Sequence, residues 1–350
     1  MSLFYNSPTL LLEIRLVFFW RMIILKLQDY MMYWYKTYRM PKQQSTTQIA
    51  NLSLINNHIV GSKIGELELN EITTRDVQEF LTTELMYGKK TCLKHLDLRG
   101  TSLSPHTVIK LRQILIAMFR QAMKEKIIIY NVAESTESLP LPWHESPIFT
   151  PDNQRKFLYA ARRHRYYVAY VLLFYLGCRR GELLGLAWDA IDFRKNTLTI
   201  RQELLLEKNN IVLRKRGKTR NSVRVIPFPK EIKYLLSDWR KKQKEESRAV
   251  GYKNEYNLVF CNKDGTPHNP SYFSRNFKAL IKRLDFCSDE LHLHSTRHTW
   301  ATNMVQLGIG ISDIQALGGW SRPDTLLNIY AHSVKESQRK AMKKLFKELN

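Results

Sequence analysis

The sequence predicts a mainly α-helical chain with a small antiparallel β-sheet, divided into two folded units. Apolar residues recur at helical spacing through most of the length. They switch to short β-like runs only between Thr197 and Phe228. Pro140, Pro142 and Pro147 fall together in residues 134–149, where no apolar period continues, as in a stiff linker.

Residues 1–24 are an atypical segment. Leu10 to Leu27 is strongly apolar, but Glu13, Arg15, Arg21 and Lys26 interrupt it. A spanning helix needs about 20 mostly apolar residues, so none is expected here. Nor does a small-residue cleavage site follow a clean apolar core, so a soluble chain is expected. From about Phe18 to Arg39 the pattern is helical, with Ile23, Leu27, Tyr30, Met31 and Trp34 near one face. Pro41 and the polar run to Thr46 end it. Ser45 or Thr46 is expected to cap a second helix carrying Ile49, Leu52, Leu54 and Ile55. Thr73 or Thr74 caps a third, through Val77, Phe80, Leu81 and Leu85, with Asp76 suiting the dipole of its first turn. Ser104 caps a fourth and Pro105 opens it, with Val108, Leu111, Leu115, Phe119 and Ala122 on one face. Residues 25–133 therefore read as a basic four-helix unit, and 134–149 as the linker.

The second unit spans 150–350. Pro151 starts a helix, Tyr166 to Leu176 is apolar and aromatic, and Glu182 to Ala187 continues as helix until Asp189. Three β segments follow, around Thr197–Ile200, Ile211–Leu213 and Val223–Phe228, with a turn at Asn209-Asn210. Helices resume at about Lys230–Glu246 and Tyr272–Leu284. Residues 334–350 read as a basic amphipathic helix, with Val334, Met342, Leu345 and Leu349 near one face.

Composition narrows the function. At 44% apolar residues the chain has material for packed cores. Fifty-five basic against 32 acidic residues give a net charge of +23, which fits a polyanionic partner. Cys92, Cys178, Cys261 and Cys287 are widely spaced and form no CxxC pair, as in a reduced, intracellular chain.

One constellation carries chemistry. Phosphodiester transfer without a metal needs cations on the non-bridging oxygens. It also needs a nucleophile able to form a covalent intermediate, and groups to move protons. The chain holds Gly177-Cys178-Arg179-Arg180-Gly181-Glu182, then Lys218 with Arg224-Val225-Ile226-Pro227. It continues with His294-Ser295-Thr296-Arg297-His298-Thr299, then Gly319-Trp320, and ten positions later Tyr330-Ala331-His332. In order and spacing these residues resemble the tyrosine recombinases, the phage-integrase family, over roughly residues 150–335.

The resemblance implies a role for each. Arg179 and Arg297 would clamp the scissile phosphate, which a planar guanidinium suits. Lys218 would protonate the leaving 5′ oxygen, and His294 would assist proton transfer at Tyr330, the nucleophile. Trp320 stands where histidine is more usual, and its indole N–H can still donate to the phosphate. No cofactor or metal is implied.

Alternatives accompany these roles. Arg180 sits one position off the motif, Glu182 reads as structural, and Lys215 competes with Lys218. Cys287, His292, His294 and His298 cluster in sequence, but in no common zinc spacing. The DNA-contact candidates are Lys215, Arg216, Arg220 and Arg275, with Arg162, Arg163, His164 and Arg165 named from charge alone.

The resemblance also implies a SAM-like helical core-binding domain (25–133) and a mixed α/β catalytic domain (150–350) that clamp double-stranded DNA as a C shape. It implies a homotetramer on synapsed DNA, an accessory DNA-bending or directionality factor, and a cytoplasmic, nucleoid-associated protein without a membrane partner. Residues 1–24 do not resemble the arm-binding domain of larger integrases. The helix at 334–350 would dock on a neighbouring protomer or on its own domain. The activity expected is site-specific recombination in integration or excision of a mobile element. A silent DNA-binding regulator, or a nicking and closing activity like that of a type IB topoisomerase, are the other readings.

Overall fold

A computed structural model describes residues 25–90, 100–140, 147–207, 210–215, 223–286, 290–321, 323, 326–327 and 346. The chain is mainly α-helical with small antiparallel sheets, in two compact units that meet at His144 and Glu145 in the sequence. The segment 1–24 lies outside the described residues. So do residues 216–222 and the helix expected at 334–350, apart from Phe346. No described helix is long and apolar enough to cross a membrane.

In the first unit, α1 (Leu27–Trp34) runs on through a π-helical turn at Tyr35–Arg39. α2 (Ser45–Leu54) passes into a second π-helical turn at Ile55–Ile59. α3 (Thr74–Tyr87) and α4 (Pro105–Lys124) complete it. Thr73 and Asp76 form the expected cap of α3, each side chain serving the other's backbone N–H. Ser104 caps α4, whose face of Val108, Leu111, Leu115, Phe119 and Ala122 is fully buried.

Two expectations change here. The N-cap of α2 is Gln44 rather than Ser45 or Thr46, and no hydroxyl caps it. Gln48 instead reaches back to the carbonyls of Met40 (2.8 Å) and Gln43 (3.0 Å), which fixes the entry to the helix. Ile49, assigned to the core face, is 46% exposed. The inward face runs through Gln48, Leu52, Ile55 and Ile59, so Ile55 is buried as expected while Ile49 lies one position off that face.

Residues 134–140 also differ from an extended linker. Arg112 donates to the Thr136 hydroxyl (2.8 Å) and carbonyl (2.7 Å), Gln78 accepts from the Glu137 N–H (2.9 Å), and Leu139 packs on the helical core. The guanidinium satisfies carbonyls that a free linker would leave to water.

The second unit opens with α5 (Pro151–Ala161), α6 (Tyr167–Leu176) and α7 (Arg180–Leu184). α6 is apolar all round because it is buried nearly all round, against Phe149, Phe157 and Phe277 among others. The helix expected to reach Ala187 stops at Leu184. The next residues join the 257–259 segment instead, through Trp188 N to Asn257 O and Val259 N to Leu186 O.

The strands are β1 (Ile191–Asp192), β2 (Thr197–Ile200), β3 (Gln202–Glu207), β4 (Asn210–Lys215) and β5 (Arg224–Pro227). Where three β segments were expected, they make one sheet of order β1-β2-β5 and a separate β3-β4 hairpin, all antiparallel. Glu207 pairs with Asn210, so the hairpin reverses one position earlier than Asn209-Asn210 implies. Then come α8 (Lys230–Val250), α9 (Pro270–Ile281), α10 (Ser295–Gln306) and α11 (Ile311–Gly318). A satellite core of Trp300, Ala301, Val305, Ile314 and Leu326 joins α10 to α11.

Candidate active site

The site forms where α6 ends. Gly177 closes that helix at φ +60°, and a Cβ there would lie 2.4 Å from the Trp300 ring. Only glycine turns the chain left-handed in so little space. The turn directs the Gly177 carbonyl at α10, where it accepts from Nη1 of Arg297 at 2.6 Å. Two residues later Arg179, in extended backbone, starts α7.

Arg179 is held at several points. Its N–H and Nη1 donate to the Glu182 carboxylate at 2.9 and 2.8 Å, and Nη2 donates to the Gly319 carbonyl at 2.8 Å. Its side chain keeps 34% of its surface exposed. Glu182 has none. Burial pushes the Glu182 carboxyl up, but the Arg224 guanidinium and then Arg179 outweigh it and hold the group at about 2. Arg180 bonds Ser274 of α9 instead (2.8 Å).

Arg297 lies in the first turn of α10 and is 1% exposed. Its guanidinium carbon lies 3.6 Å from the centre of the Trp320 ring. Nε and Nη2 are buried and make no hydrogen bond among the described residues. Burial, then repulsion from Arg179, lowers its pKa to about 9, so it stays charged at neutral pH. Trp320 stacks on Trp300 at 6.1 Å and 13°.

His294 immediately precedes α10, with part of its surface exposed and the rest packed against the protein. Its ring meets His298 edge to face at 4.9 Å and 82°. Desolvation by the packed protein, then the neighbouring His298 and Arg297, push its pKa down. A neutral imidazole at pH 7 can accept a proton.

The structure thus brings Arg179, Arg297, His294 and Trp320 onto the facing ends of α6, α7, α10 and α11. Lys218, Tyr330, Arg216, Arg220 and Cys287 lie outside the described residues. Lys215 ends β4 exposed, and Arg275 is exposed on α9 with its guanidinium 5.8 Å from the Tyr272 ring. Arg162 and Arg163 are exposed, and Arg162 lies over Tyr159 at 5.4 Å. His164 packs near Tyr166 and Tyr170. Arg165 is tied into the fold by Glu246 (2.7 Å) and the Cys261 carbonyl. His292 bonds Glu290 O and Ser295, and among the described residues no three metal-ligating side chains converge.

Arg224, quoted in the sequence only as part of the run after Lys218, has a role that the sequence did not reveal. It is 8% exposed, and its Nη1 and Nη2 reach both oxygens of Glu182 (3.1 and 2.6 Å). Its signal was an arginine in phase with Ile226 on a strand that alternates buried and exposed.

The chain matches the model of the Phage integrase family over residues 148–337. It matches that of the phage integrase N-terminal SAM-like domain over residues 26–85. A protein named "Tyrosine recombinase XerC-like", from Caldanaerobacter subterraneus subsp. tengcongensis, is 26% identical over 307 residues, which is 83% of this chain and 74% of the relative. The ICEBs1 integrase of Bacillus subtilis is 24% identical over 294 residues, 83% of this chain and 75% of the relative. Among solved structures, the Tn1549 transposon integrase in complex with a circular intermediate DNA matches with a TM-score of 0.76 at 20% identity, over 92% of this chain and 99% of that one. A lambda integrase dimer bound to a core site matches at 0.61 and 17% identity, over 93% and 81%.

Proposed function

The chain belongs to the phage integrase family, and on that premise we propose that it is a site-specific tyrosine recombinase. It cuts and rejoins double-stranded DNA through a 3′-phosphotyrosyl link, in the integration or excision of a mobile element. The observation that carries this is the guanidinium pair around Gly177. Buried donors without partners cost about 1–3 kcal/mol each, and among the described residues Arg297 keeps two of them, Nε and Nη2. A phosphate oxygen satisfies such donors with charge-assisted bonds, and Arg179 stands beside them, braced from behind by Glu182.

In this reading Arg179 and Arg297 hold the non-bridging oxygens and stabilise the charge that grows on them. The phenol oxygen of Tyr330 attacks phosphorus, and its proton passes to neutral His294. The bond to the 5′ oxygen breaks, and Lys218 supplies the proton that this oxygen takes. Attack by a new 5′ hydroxyl reverses the sequence and releases Tyr330. Trp320 holds the Arg297 plane in place.

The excess of basic residues supports DNA as the partner, with affinity that falls steeply as salt rises. Lys215 and Arg275, both exposed, are the described candidates for phosphate contact, with Arg216 and Arg220 following Lys215 in the sequence. The proposal extends to residues 25–133 as a core-binding domain, 134–149 as its connection and 150–350 as the catalytic domain. It also includes a homotetramer on synapsed DNA, an accessory bending or directionality factor, and a place with the nucleoid. The helix at 334–350 would dock between protomers.

The test is a nicked suicide duplex spanning the ends of the element that carries the coding sequence, incubated with the protein in a chelator. A covalent adduct on a denaturing gel is the expected result. A salt-sensitive gel shift without adduct would move the chain to the class of silent DNA-binding regulators.

A further inference from the structure

β5 alternates buried and exposed positions, and Arg224 takes a buried one, paired across the sheet with Ile200. The strand pattern calls for an apolar side chain there. A charge in that place is costly unless partners meet it fully. The partners are all in place. Nη1 and Nη2 bond the two oxygens of Glu182, and Nε donates to the Leu317 carbonyl at 2.6 Å. Gly319, at φ +69°, lies so close that a Cβ would stand 2.7 Å from Arg224 Nη1. The turn leading to Trp320 is therefore clamped on one side by Arg224 and on the other by Arg179, which donates to Gly319 O.

We propose that Arg224 is a positioning residue of the strand-transfer site. It holds Glu182, and through Glu182 the guanidinium of Arg179, while its bond to Leu317 anchors the turn that carries Trp320. The inference rests on the recombinase reading. The logic is electrostatic. Glu182 is wholly buried and shared by two guanidinium groups, one structural and one facing the phosphate. With Arg224 present, the carboxylate is met without drawing Arg179 inward. Without it, the carboxylate either pulls Arg179 towards itself or takes up a proton. The groups around Glu182 are Arg179 and Cys178 at the start of α7, Arg224 on β5 and Arg297 on α10. Cys178 stays a thiol, since burial pushes it up to about 12, so in the acid range Glu182 is the group among them that titrates.

The experiment measures single-turnover cleavage of the suicide duplex, DNA affinity by gel shift and thermal unfolding. It compares the full chain with Arg224→Gln, Arg224→Lys and the double variant Arg224→Gln/Glu182→Gln. Cleavage by Arg224→Gln is expected to fall about 100-fold, as misplacing a group by about an ångström does. DNA affinity should stay within about threefold, because many phosphate contacts share it. The rate for Arg224→Gln should also gain an acid limb of its own, as Glu182, having lost the guanidinium that lowers it most, takes up a proton at higher pH than in wild type. Wild type and the double variant should show only the loss that all the variants share as His294 takes up a proton.

If Arg224→Gln does not fold, Arg224→Lys decides. It keeps the charge but not the fork, and its cleavage should fall at least about tenfold. Wild-type cleavage by the folded variant, or equal losses of cleavage and DNA affinity with no new acid limb, overturns the proposal. If wild type itself forms no adduct, the recombinase reading fails first, and this inference with it.

Discussion

The indole of Trp320 lies face-on over the guanidinium of Arg297, with 3.6 Å between the ring centre and the central carbon. Its other stacking partner is Trp300. A cation held against an aromatic face keeps its charge while losing water, and its plane is fixed. That explains how tryptophan can serve where histidine is more usual in the family. It contributes area and a π face, and leaves proton transfer to other groups.

Trp320→Ala should therefore lower stability by about 1–3 kcal/mol, the sum of a ring pair and a partly buried cation–π contact. Urea unfolding measures it. Cleavage should fall further than DNA affinity, because Arg297 loses its orientation. Trp320→Phe, which keeps a ring face, should lie between the two.

Arg297→Lys should lower the cleavage rate by about 100-fold or more, comparable to removing a preorganised donor from a developing anion. Lysine is a point charge and cannot reproduce the bond to Gly177 O together with free Nε and Nη2 donors. Single-turnover cleavage under saturating protein reads the loss, and an unchanged rate would remove Arg297 from the phosphate site.

Gly177→Ala should destabilise the protein by about 2–4 kcal/mol, combining left-handed strain with a clash against Trp300. The denaturant midpoint measures it. A shift of a few tenths of a kcal/mol would mean that the turn is not held as described.

Acid should unfold the catalytic unit in two stages. His294 and His298 both have folded pKa values below the ordinary 6.5, chiefly through desolvation. The unfolded chain then binds more protons than the folded one below that value, so stability is full above about pH 6.5 and declines as pH falls. Glu182 acts lower down. Its folded value of about 2 lies beneath the ordinary 4.5, so its contribution is present above pH 4.5 and is lost towards pH 2. Unfolding free energy measured from pH 7.5 to 3 checks this. His298→Asn should flatten the upper stage and leave the lower one.

Much of the site could be read from the chain because its chemistry is local in sequence. Gly177 to Glu182 lies within a single turn-and-helix start, and His294 and Arg297 sit one helical turn apart. The caps at Thr73 and Ser104 were legible for the same reason, since each satisfies N–H groups three residues on. Arg224 was not, because its meaning depends on pairing with a carboxylate 42 positions away. Ile49 misled because the inward face of its helix runs through Gln48, Leu52 and Ile55, one position away, and a polar glutamine marks its start. The fold-back of residues 134–140 depends on Arg112, 24 positions before Thr136, which no local composition reveals.

The central claim is that Tyr330 carries the DNA. The most direct measurement is to trap the adduct on the suicide duplex, digest protein and DNA, and find the modified peptide by mass spectrometry. A nucleotide mass is expected on the peptide that contains Tyr330, with fragmentation that assigns it to that residue and no adduct from Tyr330→Phe. An adduct that persists in Tyr330→Phe, or a nucleotide mass on another residue, would contradict it.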